Sequence, residues 1–408
     1  MRVFVFISHN KTLPSNDGFS ISNVIQNSFE YFKDKSNINL MHYIIVSSYK
    51  KGLLNNKNYK YVKSKTIFSY LIVLLIKAIF NKELQRKYFY SIERINMQYI
   101  ISLVMFTFRN ISKNDIILFH GSSNALLLIS LIFPNYNFIY YRHGGDVSNT
   151  GKNNIDQILQ LCNGRIIHVS NSTFGQIKNK NSVVIHNGLN PTHFKQHNKE
   201  RLTIRKRIRE ENNIKVGDLV CFMGGTIWEP KGYHIAIKAL AQFNNRATVL
   251  FIAGDTLNVD QNYVNTLKEL SNINNVKTIF LGCLDNNSLY EIIVASDIGM
   301  QLTIPSMYSE GISIILLEMV FLKLPVIVST SGGNKEVIPS DEYGIIVEEK
   351  DMIKNICRGL HRYHSLEERR KVAKNAELLV YNDFNSKIMS KKLYLYLNKE
   401  RNKLLRSN

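Results

Sequence analysis

Short, nearly continuous apolar runs separated by polar turns recur along the chain, and their spacing predicts strands alternating with helices. In the first half, Val3–Ser8, Met41–Ser47, Asp115–His120, Phe138–His143, Arg165–Ser170 and Ser182–His186 read as strands. Several lack a polar face, which suits a parallel sheet covered on both sides. Ile21, Val24, Ile25, Phe29 and Phe32 fall at helical spacing between the first two. From Lys215 the pattern restarts, with strands expected at Leu219–Met223, Thr248–Ala253, Lys277–Leu281, Ile298–Thr303, Pro325–Ser329 and Gly344–Val347. Two α/β units of similar size predict two doubly wound, Rossmann-like domains facing each other, 1–195 and 196–383. The polar, basic stretch Pro191–Lys215 is expected to link them. The tail from Phe384 to Leu405 predicts a charged amphipathic helix through Ile388, Leu393, Leu395 and Leu397.

The alternation lapses between Tyr59 and Asn110, where no clear strand is legible. The apolar run Ile67–Phe80 is shorter than the roughly 20 residues that span a bilayer. Its flanks are basic and aromatic, with Lys60, Lys63 and Lys65 before it and Lys82, Arg86, Lys87 and Arg94 after it. Two readings stand: a buried helix followed by a surface one, or an interfacial surface resting on anionic lipid.

Composition narrows the picture. A chain of 408 residues, 45% apolar and 21% charged, is a folded protein too long for one ordinary core. Its formal net charge of +20 is uneven: residues 1–195 hold 23 Lys and Arg against 8 Asp and Glu, residues 196–408 hold 29 against 24. That asymmetry implies an anionic partner for the first half: nucleic acid, an acidic membrane surface or an anionic substrate. Four scattered cysteines form no metal or disulfide spacing, and the start Met1–Ser8 reads as a strand and not a signal peptide. A reducing cytoplasm is the expected compartment.

The chemistry concentrates in a few loops. In Ser309-Glu310-Gly311-Ile312-Ser313 a polar turn carries a carboxylate, and Gly311 with the Ser-Ile run is expected to open a helix bearing Glu318 two turns deeper. The first turn of a helix has unpaired N–H groups and a partial positive charge, a seat for phosphate or carboxylate. A strand and Ser331-Gly332-Gly333 follow. In Gly224-Gly225-Thr226-Ile227-Trp228-Glu229-Pro230-Lys231-Gly232, glycines after a strand and a lysine at a helix start would let backbone and an ammonium approach a diphosphate. The order is not that of a Walker loop. In the first half, Arg142-His143-Gly144-Gly145-Asp146 ends a strand with an imidazole that can donate or accept a hydrogen bond. His120-Gly121-Ser122 also ends a strand and is read as structural. Gly254-Asp255 and Leu281-Gly282 are strand ends where a base can meet backbone, and Asp17-Gly18 would bring backbone N–H groups towards a diphosphate.

Together these segments resemble the signature of the retaining glycosyltransferases of family 4, which have the GT-B fold. The resemblance covers roughly residues 1–400 and is strongest over 219–336. It implies that Glu310 contacts donor-sugar hydroxyls, Glu318 the ribose, Lys231 the diphosphate, and His143 the donor sugar near the reacting carbon. Gly18, Gly225, Thr226, Gly254, Gly282, Gly311, Ile312 and Ser313 complete the implied donor site. Thr226 stands where the family has an arginine, which removes a bidentate phosphate ligand. Ser170-Asn171-Ser172 and His186-Asn187-Gly188-Leu189-Asn190 repeat further family segments, the latter read as mainly structural. The resemblance also implies that the final helix, 384–408, crosses back onto the first domain.

The expectation is therefore a retaining hexosyl transfer from a nucleoside-diphosphate sugar, UDP-linked, to an acceptor hydroxyl. No Asp-x-Asp cluster or His pair marks a metal site, so neither a metal nor another cofactor is expected. The basic first half suits a lipid-linked glycan acceptor in surface polysaccharide or lipopolysaccharide assembly, at the inner face of the cell membrane. Two alternatives stay open: a sugar-nucleotide epimerase on the same frame, and a basic membrane- or nucleic-acid-binding protein with a vestigial site; a phosphorylase would need a cofactor lysine near the carboxyl end of the chain, for which the sequence makes no case. Against nucleic acid, the basic residues form no recognisable reading motif.

Overall fold

The computed structural model describes residues 2–7, 24–25, 27–29, 42–47, 59–61, 97–120, 123–144, 162–163, 165–176, 181–243, 248–255 and 260–407. The Ile67–Phe80 run with most of its basic flanks, and Asp17-Gly18, lie outside them.

Thirteen strands among the described residues form two parallel sheets. The first comprises β1 (Arg2–Ile7), β2 (His42–Ser47), β3 (Tyr59–Tyr61), β4 (Ile116–His120), β5 (Asn137–Arg142), β6 (Ile166–His168) and β7 (Val183–Val184), in the order β3-β2-β1-β4-β5-β6-β7. The second comprises β8 (Leu219–Gly224), β9 (Thr248–Ala253), β10 (Lys277–Gly282), β11 (Ile298–Gln301), β12 (Val326–Ser329) and β13 (Ile345–Val347), in the order β10-β9-β8-β11-β12-β13. Each chain segment builds outward in one direction, then returns to add strands on the other side of the first. That reversal places a topological switch point between β1 and β4 and another between β8 and β11, where open α/β sheets bind ligands at the carboxyl ends of their strands.

Strand residues alternate between two cores, as a period of two requires. Val3, Val5, Ile116 and Leu118 face a core that runs on through Leu393 and Leu397 of the last helix to Val220 and Phe222 of the second sheet. Phe4, Phe6, Ile117 and Phe119 face the opposite side of the first sheet, and Cys221, Met223, Leu250 and Ile252 that of the second. Both faces are buried, so these strands read as unbroken apolar runs.

The structure corrects one expectation and fills in another. Tyr59–Tyr61 is a strand, held by parallel pairing of Ile45 with Tyr59 and Ser47 with Tyr61, and Met97–Asn110 is a helix. A three-residue strand has no periodicity to read and exists through its neighbour. The segment 191–215, expected to link the two domains, has regular structure of its own. It forms a 3-10 turn (Pro191–Phe194) and two helices, Lys195–Lys199 and Arg201–Glu211. Ile204 and Ile208 are buried one turn apart, while Arg205 and Arg209 both pair with Asp297 at the start of β11, at 2.6 and 2.7 Å. The arginines that gave the stretch its linker-like polarity bind it to the second sheet.

The last helix, Ser386–Ser407, starts from a bridge between Leu189 and Asn385. Met389 Sδ lies 3.8 Å from Ser28 Oγ and 3.3 Å from Gly188 N, and Tyr396 Oη donates to Asn181 O at 3.3 Å. No helix among the described residues is long and apolar enough to cross a membrane.

Candidate active site

The second switch point brings two distant loops together. β8 and β11 pair only at Cys221–Ile298 and Phe222–Gly299, so their carboxyl ends are free to diverge around a crevice. After β8 the chain passes Gly225 and the exposed Thr226, then makes a 3-10 turn, Glu229–Lys231, with Pro230 pre-set for it. Gly232 ends that turn at φ 72°, and a Cβ there would lie 2.4 Å from Leu302 O, so only glycine fits. Ile304 N donates to Pro230 O at 2.8 Å, locking the β11 loop onto the β8 loop.

This packing places the Lys231 ammonium in an ion pair with Glu310 Oε1. The same oxygen accepts from Thr303 Oγ1 at 2.7 Å and Gln301 Nε2 at 3.3 Å. The backbone of Glu310 is held from below: its N–H donates to Ser331 Oγ at 3.2 Å, and its carbonyl accepts from Gly333 N at 3.1 Å. Gly332, at φ 52°, passes so close that a Cβ would fall 1.9 Å from Glu310 O. The Gly-Gly pair after β12 is therefore the bed on which Glu310 rests.

The helix bearing Glu318 begins later than the sequence suggests, at Ile314, and runs to Phe321. Ser313 is its N-cap but makes no side-chain cap hydrogen bond, leaving the first-turn N–H groups without that partner. Glu310 thus lies in the loop before the helix and Glu318 in its second turn. Ile312 and Ser313 are buried beside them. Glu318 is 3% exposed and accepts from Tyr290 Oη at 3.4 Å. Burial raises its carboxyl from 4.5 to about 8, with the phenol pulling weakly the other way. A carboxyl raised on folding contributes stability fully present below about 4.5 and lost as pH rises through 8. At about 1.4 kcal/mol per tenfold change in acidity, that loss is on the order of 5 kcal/mol. Glu318→Gln is therefore expected to melt higher than wild type at pH 8 and to converge with it near pH 4.5, as thermal unfolding across pH would show.

From the first sheet, His143 follows β5 and shares a 2.9 Å hydrogen bond between its Nε2 and His120 Nδ1. Both imidazoles stack on Tyr141, at centroid distances of 4.9 and 4.5 Å. Burial first, then the neighbouring His143, holds His120 well below the usual imidazole value. The two domains touch where a Cβ on Gly311 would lie 2.3 Å from His143 O. A Cβ on Gly144 would lie 2.7 Å from the hydroxyl of Tyr308, whose ring meets Trp228 edge-on at 5.3 Å and lies 5.9 Å from the Lys231 ammonium.

Gly225, Gly254 and Gly282 form the rim of the sheet beside this crevice. Gly225 N donates to Ala253 O and Gly254 N to Gly282 O, and a Cβ on Gly254 would lie 2.0 Å from Gly225 O. His143, Lys231, Glu310, Gly311 and Ile312 thus converge, Glu318 is buried behind them against Tyr290, and Gly18 lies outside the described residues. Among the described residues no cluster of three His, Cys, Asp or Glu side chains could hold a metal ion.

Sequence reasoning missed the clasp between the domains. Glu336 accepts from Asn171 N at 2.9 Å, Asn171 Nδ2 at 2.8 Å, Ser172 N at 3.0 Å and His186 Nε2 at 2.9 Å. Burial opposes its charge, but these donors, led by His186, hold its carboxyl below the ordinary value. Asn187 Nδ2 donates to Ile312 O at 2.9 Å, and Gln176 links Arg142 at 2.7 Å to Ser309 at 3.1 Å. The signal was a glutamate three residues past the Gly-Gly pair, opposite a Ser-Asn-Ser turn; only the fold shows that the two meet.

Residues 204–378 match the family model described as Glycosyl transferases group 1. An uncharacterized glycosyltransferase of Methanocaldococcus jannaschii is 28% identical over 173 residues, which span 41% of this chain and 41% of that protein. Among solved structures, a glycosyltransferase from Rickettsia africae superposes with a TM-score of 0.68 at 19% identity, covering 98% of both chains. Anabaena HepE in complex with UDP-glucose gives 0.70 at 16% identity, covering 97% of this chain and 99% of that one. Sucrose-phosphate synthase from Thermosynechococcus elongatus gives 0.71 at 13%, covering 100% of both. At these identities the structural likeness is one of fold. The chain thus has the GT-B fold, and its second half carries a Glycosyl transferases group 1 domain.

Proposed function

We propose that this chain is a retaining glycosyltransferase of family 4 type, moving a sugar from a UDP-linked donor to an acceptor hydroxyl. The observation that carries the reading is the Lys231–Glu310 pair at the second switch point, with Gly311 set against His143 of the facing domain. An ammonium beside a carboxylate complements a sugar nucleotide, whose diphosphate is anionic and whose sugar offers hydroxyl donors. In this reading residues 196–383 hold the donor, residues 1–195 face the acceptor, and the helix at 384–408 ties the two.

As the bond between the anomeric carbon and phosphate breaks, negative charge grows on the leaving oxygens. Lys231 and the first-turn N–H groups of helix Ile314–Phe321 stabilise it. The acceptor oxygen bonds the anomeric carbon on the same face and its proton passes to the departing phosphate. Glu310, engaged by three donors, binds sugar hydroxyls and does not attack; Glu318 faces the ribose and His143 the sugar near the reacting carbon. With diphosphate charge met by these groups, the reaction is read as metal-independent. Thr226 supplies no cation, so the nucleotide affinity is expected to be lower than an arginine there would give. HepE bound to UDP-glucose, on the same fold, supports UDP as the nucleotide. The basic first half suits a lipid-linked glycan acceptor in surface-polysaccharide assembly at the inner membrane face.

Thermal shift with UDP, GDP and ADP at millimolar concentration tests the reading. Stabilisation by UDP alone is expected, since a ligand at 100 times its Kd adds about 2.7 kcal/mol. No response to any nucleotide, with salt-sensitive binding to random duplex DNA or anionic vesicles, would favour a basic binding protein instead.

A further inference from the structure

The three donors on Glu310 all fall on one oxygen. Lys231, Thr303 and Gln301 converge on Oε1, and among the described residues no hydrogen bond falls on Oε2. The carboxylate is thus divided into a held oxygen and an offered one.

Two features make this division a property of the fold. Gln301 ends β11 and Thr303 lies two residues on, so strand periodicity points both side chains to the same side. Both are buried, at 2% and 0% exposure, and Ser329 Oγ fixes the Thr303 carbonyl at 2.5 Å. Bulk solvent does not reach either side chain there. A side chain with three rotatable bonds, held at one end by fixed donors, presents its other oxygen in a single direction.

We propose that Thr303 and Gln301 are positioning residues that pin Glu310 Oε1 and aim Oε2 at a hydroxyl of the donor sugar. The proposal rests on the glycosyltransferase reading and adds a specificity consequence: the pair acts on the sugar half of the ligand and not on the diphosphate. The Lys231 ammonium, which has three N–H donors and gives one to Glu310, keeps the others for phosphate.

Calorimetry on UDP and on UDP-glucose separates these halves. Thr303→Val keeps the shape but loses the hydroxyl, and is expected to weaken UDP-glucose binding about tenfold while UDP changes less than about twofold. Thr303→Ser is expected to restore wild-type discrimination. In a Glu310→Gln background the Thr303→Val effect should vanish, because the hydroxyl acts through that carboxylate. If Thr303→Val unfolds, Gln301→Leu carries the same comparison. Equal weakening of both ligands, unchanged discrimination, or an undiminished effect in the Glu310→Gln background would overturn the positioning role while UDP binding by wild type stands. Failure of wild type to bind UDP would remove the glycosyltransferase reading and this inference with it.

Discussion

Replacing Lys231 with alanine is expected to lower turnover roughly 10²–10³-fold, the scale of losing one pre-placed charge that faces developing negative charge. In the proposed reading Lys231 is the cation that the β8 loop offers the diphosphate, since Thr226 stands where the resemblance implies an arginine. The substitution also leaves Glu310 without its counter-ion, although Thr303 and Gln301 still hold Oε1. Turnover should therefore fall further than affinity for the sugar nucleotide. Lys231→Arg is not expected to rescue, since the longer planar fork must fit between Glu310 and the Tyr308 ring. Steady-state kinetics with the preferred sugar nucleotide would check both; wild-type turnover in Lys231→Ala would remove the lysine from the mechanism.

The second large effect concerns stability. Asp297 is 7% exposed and accepts from Arg205, Arg209, Arg369 and the backbone N–H of Val220, at 2.6, 2.7, 2.7 and 2.9 Å. Burial disfavours its charge, yet the guanidinium groups of Arg205 and Arg209 hold its carboxyl below the ordinary value. Asp297→Ala would leave the buried Arg209 and the half-buried Arg205 and Arg369 without their anion, and one-sided removals from buried pairs cost about 3–5 kcal/mol. The loss should appear as a lower denaturation midpoint. Because Asp297 stands at the amino end of β11, nucleotide binding at the carboxyl end should be little changed in the folded fraction. A carboxyl depressed on folding contributes stability above its unfolded value, lost as pH falls through the folded one. The wild type should thus lose this contribution in acid, and the variant should lack that part of its pH dependence.

Glu310, Gly311, Lys231 and His143 were legible as a candidate set because each sits in a short segment with unusual local demands. A glycine follows a strand, a proline sets a turn, or a charge interrupts an apolar run. Thr303, Gln301 and Glu336 carried no such mark. A threonine and a glutamine at a strand end are ordinary, and Glu336 looks like a solvated helix acid until the fold sets Asn171, Ser172 and His186 around it. His120 read as structural for the same reason; its hydrogen bond to His143 spans two adjacent strands. The helix Arg201–Glu211 was not legible because its arginines look solvated, whereas contacts to Asp297 and Ala295, two buried and one half-buried, absorb them.

The sequence by itself determined twelve of the thirteen described strands, the two-sheet α/β plan and the candidate loops. These depend on local periodicity: an apolar run buried on both faces has few alternatives to a central parallel strand. Tertiary structure decided which loops meet. Lys231 and Glu310 are 79 residues apart, and they touch because β11 returns beside β8 across a switch point. The same folding gave Glu310 three donors on one oxygen, buried Glu318 against Tyr290, and closed Glu336 onto the first domain. Strand order, burial and charge pairing join residues distant in the chain, so no window of sequence contains them.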